Sequence, residues 1–134
     1  MANDETRVAI DHDVDIVAAR RKARELATQV GFSGSDLTII ATAISEVARN
    51  IVVYAHRGEI VLSAAKRGTR RGVLVIARDE GPGIPDIPRA MRDGFSTGKS
   101  LGLGLPGAKR LMDEFEIASE VGKGTTITMR KWTR

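Results

Sequence analysis

The hydrophobic spacing of this chain changes in blocks, and the strand-like blocks come in adjacent pairs. A short strand, Arg7–Ile10, leads into a helical stripe of Ile16, Ala19, Ala23, Leu26 and Val30, with Asp13 or Asp15 as N-cap and Gly31 as stop. A second stripe, Leu37, Ile40, Ile44, Val47 and Ile51, starts from Ser35 or Asp36. Two strands follow, Glu59–Ala65 and Val73–Arg78, joined by the polar turn Lys66–Gly72. A third clear helix is expected over Pro106–Asp113. The last elements read as a hairpin, Phe115–Val121 and Thr125–Lys131, around Gly122-Lys123-Gly124. Helices segregated from hairpin-paired strands predict an α+β two-layer sandwich, with helices packed on one face of a mostly antiparallel, mixed sheet. Glu59, Ser63, Glu116, Thr126 and Thr128 alternate with apolar neighbours and are expected on the uncovered face. At 134 residues, one domain covering 1–134 is expected.

Composition removes several function classes. With 0 Cys there is no disulfide, cysteine nucleophile or thiolate zinc site, and His12 and His56 are too few for a histidine metal cluster. The 21 Lys+Arg and 17 Asp+Glu give a net charge of +4, which raises nucleic acid as a partner. That charge is scattered along the chain, and only 4% of residues are aromatic, too few for a base-stacking platform, so DNA is not expected. No uncharged apolar run approaches the roughly 18 residues that cross a bilayer. The acidic, polar start does not resemble a signal peptide, so no membrane and a cytoplasmic location are expected.

Three stretches carry chemistry. On the second helix, Glu46 and Asn50 share a face roughly 120° from the centre of the apolar stripe. There Glu46 could accept a proton from a hydroxyl, and Asn50 could offer a neutral oxygen to Mg²⁺; the pair would serve equally as surface polar residues. Asp79-Glu80-Gly81-Pro82-Gly83-Ile84-Pro85 leaves the end of a strand, where a carboxylate can face an exocyclic amine while glycines admit a flat ligand. An ordinary strand-exit turn has the same composition. Within the Gly- and Pro-rich stretch from Asp79 to Leu105, one helical turn is expected near Asp86–Arg92. Its end, Gly98-Lys99-Ser100-Leu101-Gly102-Leu103-Gly104-Leu105-Pro106-Gly107, leads glycines into a helix N-terminus, a natural anion site or a flexible surface loop. Two accidental matches are set aside. A P-loop needs glycine where Asp93 stands, and G-x-G-x-x-G from Gly102 lacks the preceding strand of a dinucleotide fold.

E-x-x-x-N on a helix, D-x-G-x-G after a strand and G-x-G opening a helix, followed by Gly122-x-Gly124-Thr125, resemble the GHKL ATPase superfamily over nearly the whole chain. Within it, Ile44-Ser45-Glu46-Val47-Ala48-Arg49-Asn50-Ile51 and Leu105-Pro106-Gly107-Ala108-Lys109-Arg110 resemble the RsbT-type stressosome switch kinases. Related anti-sigma kinases more usually have Ala after the asparagine and His a few residues later. Ile51 and Tyr54 therefore favour the RsbT type over a sigma-binding protein. The resemblance implies the GHKL (Bergerat) fold, with ATP and Mg²⁺ as cofactors. It implies Glu46 as general base, Asn50 as Mg²⁺ ligand and Asp79 as receiver of the adenine amino group. Gly81 and Gly83 would shape that wall, Thr125 would support the adenine, and Gly102, Leu103 and Gly104 would meet the phosphates with Lys99 as a further contact. It implies a protein serine/threonine kinase acting on STAS-domain partners, which on release activates a protein phosphatase. An ATP-gated anti-sigma factor or adaptor is the alternative. The basic stretch Arg20, Arg21, Lys22 and Arg24, with Arg49, could dock an acidic partner or be a solvated helix face.

Overall fold

The computed structural model describes residues 5–92 and 104–134. The chain runs β1 (Thr6–Ile10), α1 (Asp13–Val30), α2 (Ser35–Asn50), a wider π turn (Ile51–Ala55), β2 (Gly58–Arg67) and β3 (Arg70–Asp79). It continues through α3 (Ile87–Ala90), α4 (Gly104–Leu111), β4 (Glu114–Glu120) and β5 (Gly124–Trp132). The strands form one sheet in the order β1-β2-β3-β5-β4. Every pairing among the described strands is antiparallel, so the sheet is antiparallel throughout and not mixed. β5 lies between β3 and β4, so the chain leaves the sheet after Asp79, contributes α3 and α4, and comes back to it at the edge strand β4.

Register explains the layering, because residues directly opposite on antiparallel strands share a face. Ile60, Ala77 and Ile127 line up across β2, β3 and β5, as do Leu62, Val75 and Met129. All six are buried beneath the helices with Ile16, Ala19, Ala23, Ile40, Ile44, Val47 and Ile51. Burying each large aliphatic side chain stabilises by about 1.5–3 kcal/mol. The segment Ser35–Ala55 is long and apolar enough to cross a membrane by length and composition, at a mean hydropathy of 1.4. Here half of it is buried in the protein core.

Glu59, Ser63, Glu116, Thr126 and Thr128 share the opposite face by register. Its centre is less polar than their alternation suggests: Val61 is buried there, and Ser63 is buried beside it. Ion pairs frame it, with Arg7 and Arg78 on Glu59 at one end and Arg67 and Arg130 on Glu114 at the other.

Several boundaries differ from the sequence reading for identifiable reasons. His12 is the N-cap of α1, and Asp15 acts from the third position by accepting the N–H groups of Asp11 and His12, each at 2.9 Å. The polar turn shrinks to Gly68 and Thr69, since Lys66–Arg71 and Arg67–Arg70 extend the ladder and Gly68 takes φ +63°. Helix α4 starts at Gly104, earlier than Pro106. The expected turn near Asp86 is present, with the Asp86 carboxylate accepting the Arg89 N–H at 3.0 Å.

Candidate functional site

The packing of α2 brings Glu46 to the site. Four residues of one helix turn around it, Ile44, Ser45, Val47 and Ala48, are buried, so the carboxylate is carried inward and is only 6% exposed. Its Oε1 accepts the Gly104 N–H at 3.0 Å, and its Oε2 lies 3.6 Å from the Arg49 guanidinium. Burial of a carboxylate is costly unless hydrogen bonds and opposite charge compensate, and both are present here. Asn50 follows one turn later on the same side. At Ile51 the helix widens: the His56 N–H reaches back five residues to the Ile51 carbonyl, and His56 closes the turn at φ +71°. Such π turns cluster at functional sites.

At the end of β3, Asp79 turns the chain by accepting the Gly81 N–H on Oδ1 at 2.9 Å. The glycines that follow make room for neighbouring protein. A Cβ on Gly81 would stand 2.6 Å from that of Ala55 in the π turn, and one on Gly83, at φ +80°, would run into the Glu120 carbonyl. The loop is held from the other side by the Gly122 N–H on the Pro82 carbonyl at 2.8 Å. On β5, Gly124 takes φ +126° and packs against the Asp79 carbonyl, where no side chain fits. Thr125 is therefore seated directly opposite Asp79.

These parts surround one cavity of about 280 Å³. The structure brings Glu46, Asn50, Asp79, Gly83, Gly104 and Thr125 onto its wall, while Gly81 stands behind the loop that forms it. Lys99, Gly102 and Leu103 lie outside the described residues. Val53, Ala55, Ile84 and Pro85 supply flat apolar surface, the usual lining of a small-molecule site. Arg49, Tyr54, Asp86 and Arg89 also line it; the sequence pattern offers Arg49 for partner docking and Tyr54 as a subgroup marker, and gives none of the four a place at this cavity. Ser119 was likewise missed. Its hydroxyl accepts the Ile84 N–H at 2.7 Å and sits 2.8 Å from the Thr125 hydroxyl, so it ties the loop to the hairpin.

The arrangement suits a nucleotide. Its acceptors gather at the sheet end, its walls are apolar, and a carboxylate and an amide stand one helical turn apart at the α2 end. Among the described residues no cluster of three His, Cys, Asp or Glu could hold a metal by itself. The Asn50 side chain offers one neutral oxygen there, a donor that fits Mg²⁺ when substrate phosphates and waters complete its shell. The strongest acidity shift lies elsewhere: Glu114 is held down to about 2, chiefly by Arg67 and then by the Trp132 indole N–H. Trp132 is a packing residue, 7% exposed with the Arg67 guanidinium 4.6 Å above its ring.

Comparison with known proteins points the same way. The family described as "Histidine kinase-like ATPase domain" matches residues 11–131. The chain is 51% identical to the serine/threonine-protein kinase RsbT of Bacillus subtilis (strain 168), covering 98% of this chain and 99% of that one. It is 33% identical to the anti-sigma F factor of Thermoanaerobacter sp. (strain X514), covering 85% and 82%. Among solved structures, the RsbU and RsbW domains of a Mycobacterium tuberculosis protein superpose with TM-score 0.64 at 25% identity, covering all of this chain and 33% of that one. The mycobacterial sensor histidine kinase MprB shares the fold, with TM-score 0.58 at 18% identity and coverage of 98% and 99%. Matched from end to end by a relative with which it shares half its residues, the chain belongs to the histidine kinase-like ATPase domain family and groups there with the RsbT-type serine/threonine-protein kinases.

Proposed function

We propose that this chain is an ATP-dependent protein serine/threonine kinase that phosphorylates STAS-domain partners in a partner-switching pathway and, once released, activates a protein phosphatase. The observation that carries the kinase reading is the convergence of Glu46, Asn50, Asp79 and Thr125, from three separated stretches, on one cavity. Asp79 and Thr125 take the adenine edge at the sheet end. Asn50 would hold Mg²⁺, which supplies charge neutralisation on the phosphates. Glu46, oriented by the Gly104 N–H and by Arg49, takes the proton of the partner's hydroxyl. That hydroxyl oxygen bonds to the γ-phosphorus as the bond to the β–γ bridging oxygen breaks, leaving ADP and a phosphorylated serine or threonine. The protein's contribution is mostly positioning and electrostatic stabilisation.

A second reading, an ATP-gated anti-sigma factor or adaptor, draws support from the anti-sigma F relatives. Transfer of γ-labelled phosphate from ATP to STAS-domain proteins separates the two. The kinase reading expects partner-dependent transfer that falls about 10²- to 10⁴-fold in Glu46→Ala, the range for a positioned base. ADP affinity should be retained in that variant. Normal transfer by Glu46→Ala assigns the base elsewhere, and nucleotide binding without any transfer favours the adaptor.

A further inference from the structure

Glu46, Arg49 and Asn50 stand at positions i, i+3 and i+4 of α2, so they project from one side of the helix, and all three line the cavity. In the proposed reaction Glu46 takes the hydroxyl proton and Asn50 holds Mg²⁺, while Arg49 between them only orients the base. Its Nη1 lies 3.6 Å from Glu46 Oε2, with the Arg49 side chain 36% exposed. That ion pair is longer than a hydrogen bond, so it spends none of the five N–H donors of the guanidinium. Among the described residues the guanidinium has no other polar partner. Glu46 is 6% exposed and has its other oxygen on the Gly104 N–H. Arg20, Arg21 and Arg24 of α1, by contrast, are exposed and lie off the cavity wall. Arg49 is thus a cation with donors to spare, beside a buried carboxylate, on the wall of the site.

We propose that Arg49 is a further catalytic residue, which donates to the γ-phosphoryl oxygens of the nucleotide from beside the base. A general base works within about 2.6–3.2 Å of the atom whose proton it takes. That atom is the oxygen that bonds to the γ-phosphorus, so a cation 3.6 Å from Glu46 stands next to the transferring group. Glu46 takes the hydroxyl proton, and the hydroxyl oxygen bonds to the γ-phosphorus. The bond to the β–γ bridging oxygen breaks, and its electron pair leaves on ADP. Arg49 keeps its protons throughout. Its planar fork matches two phosphoryl oxygens with parallel hydrogen bonds and neutralises their charge as transfer proceeds. The proposal rests on the kinase reading and adds to it a source of positive charge at the terminal phosphate, carried by the same helical turn as the base.

ADP lacks the γ-phosphoryl group and the non-hydrolysable ATP analogue AMP-PNP carries one. Their dissociation constants in the presence of Mg²⁺, measured by calorimetry on the full chain, therefore isolate the contact. Arg49→Ala should weaken AMP-PNP by about 10- to 100-fold, the worth of hydrogen bonds to a charged group, and leave ADP within about twofold. Arg49→Lys keeps the charge without the fork and should recover part of the loss. An Arg49 that only orients Glu46, or only docks a partner protein, would leave both constants as they were. One that only supports the fold would weaken both nucleotides alike. Either result is an unchanged AMP-PNP to ADP ratio, and that overturns the proposal. Should Arg49→Ala not fold because Glu46 is left without its counter-charge, the comparison is made between Glu46→Gln and the double variant Glu46→Gln/Arg49→Ala, where no carboxylate is stranded; an unchanged ratio there is just as decisive. Uptake of neither nucleotide by the unsubstituted protein overturns the nucleotide reading too, whereas ADP uptake with an unchanged ratio removes only the role of Arg49.

Discussion

Asp79 uses one carboxylate for two tasks, turning the chain through the Gly81 N–H and facing the cavity opposite Thr125. Asp79→Asn keeps an oxygen for the turn but puts donors where an acceptor stood. A hydrogen bond to a charged group contributes about 1.5–3 kcal/mol, so ADP should bind about 10- to 100-fold more weakly by calorimetry. An unchanged dissociation constant would remove Asp79 from the adenine edge. Glu114 allows a pH test that leaves the cavity alone. Its carboxyl is held near 2, below its ordinary 4.5, chiefly by the Arg67 guanidinium. Its folded-state value is depressed, so its stabilisation is fully present above about 4.5 and disappears as pH falls through about 2. Glu114→Gln should therefore melt earlier at neutral pH, with the gap closing across that window in thermal scans; a constant gap would refute it. Among single residues, Glu46, Asn50 and Asp79 were legible because acidic and amide groups off an apolar stripe, or at a strand end before glycines, are locally anomalous. Ser119 was not, because a serine alternating with Ile117 on a strand carries no local anomaly.

At the level of elements, Gly124 decides whether the β4–β5 hairpin can dock. It takes φ +126°, and a Cβ would enter the space of the Asp79 carbonyl. Gly124→Ala should cost about 1–3 kcal/mol in denaturant midpoints, the range for forced backbone conformations, and weaken ADP by displacing Thr125. An alanine variant of native stability would mean that the hairpin relaxes without loss. The helices were readable from the period of their apolar residues, but α1's cap was not. Asp13 and Asp15 are both good capping residues by composition, and only the path of the chain from β1 puts His12 at the cap, with Asp15 reaching back. The π turn was invisible for a similar reason. Ile51-Val52-Val53-Tyr54-Ala55 continues an apolar helix by composition, and a shift of hydrogen-bond partner by one residue leaves no trace in residue type.

For the whole molecule, the cavity joins the α2 end, the β3 exit and the β5 start, so a ligand there bridges separate parts of the fold. Binding to the native state alone should add about 2.7 kcal/mol of stability at ADP concentrations 100-fold above Kd. For a domain of this size that corresponds to a rise in Tm of roughly 10 °C in scanning calorimetry. Asp79→Asn should lose about half of that rise or more at the same nucleotide concentration, and a flat response in the parent protein would deny a site that bridges these elements. Element order, helix faces, the two hairpin pairings and the three motif words were legible in the chain, since each depends on spacing over a few residues. Folding alone decided that β5 enters between β3 and β4, that the Gly104 N–H meets the Glu46 carboxylate 58 residues away, and that the Ser119 and Thr125 hydroxyls meet at 2.8 Å. Local spacing records which side a residue faces, whereas meetings between distant segments depend on how packed layers close over one another, and no short stretch of chain encodes that.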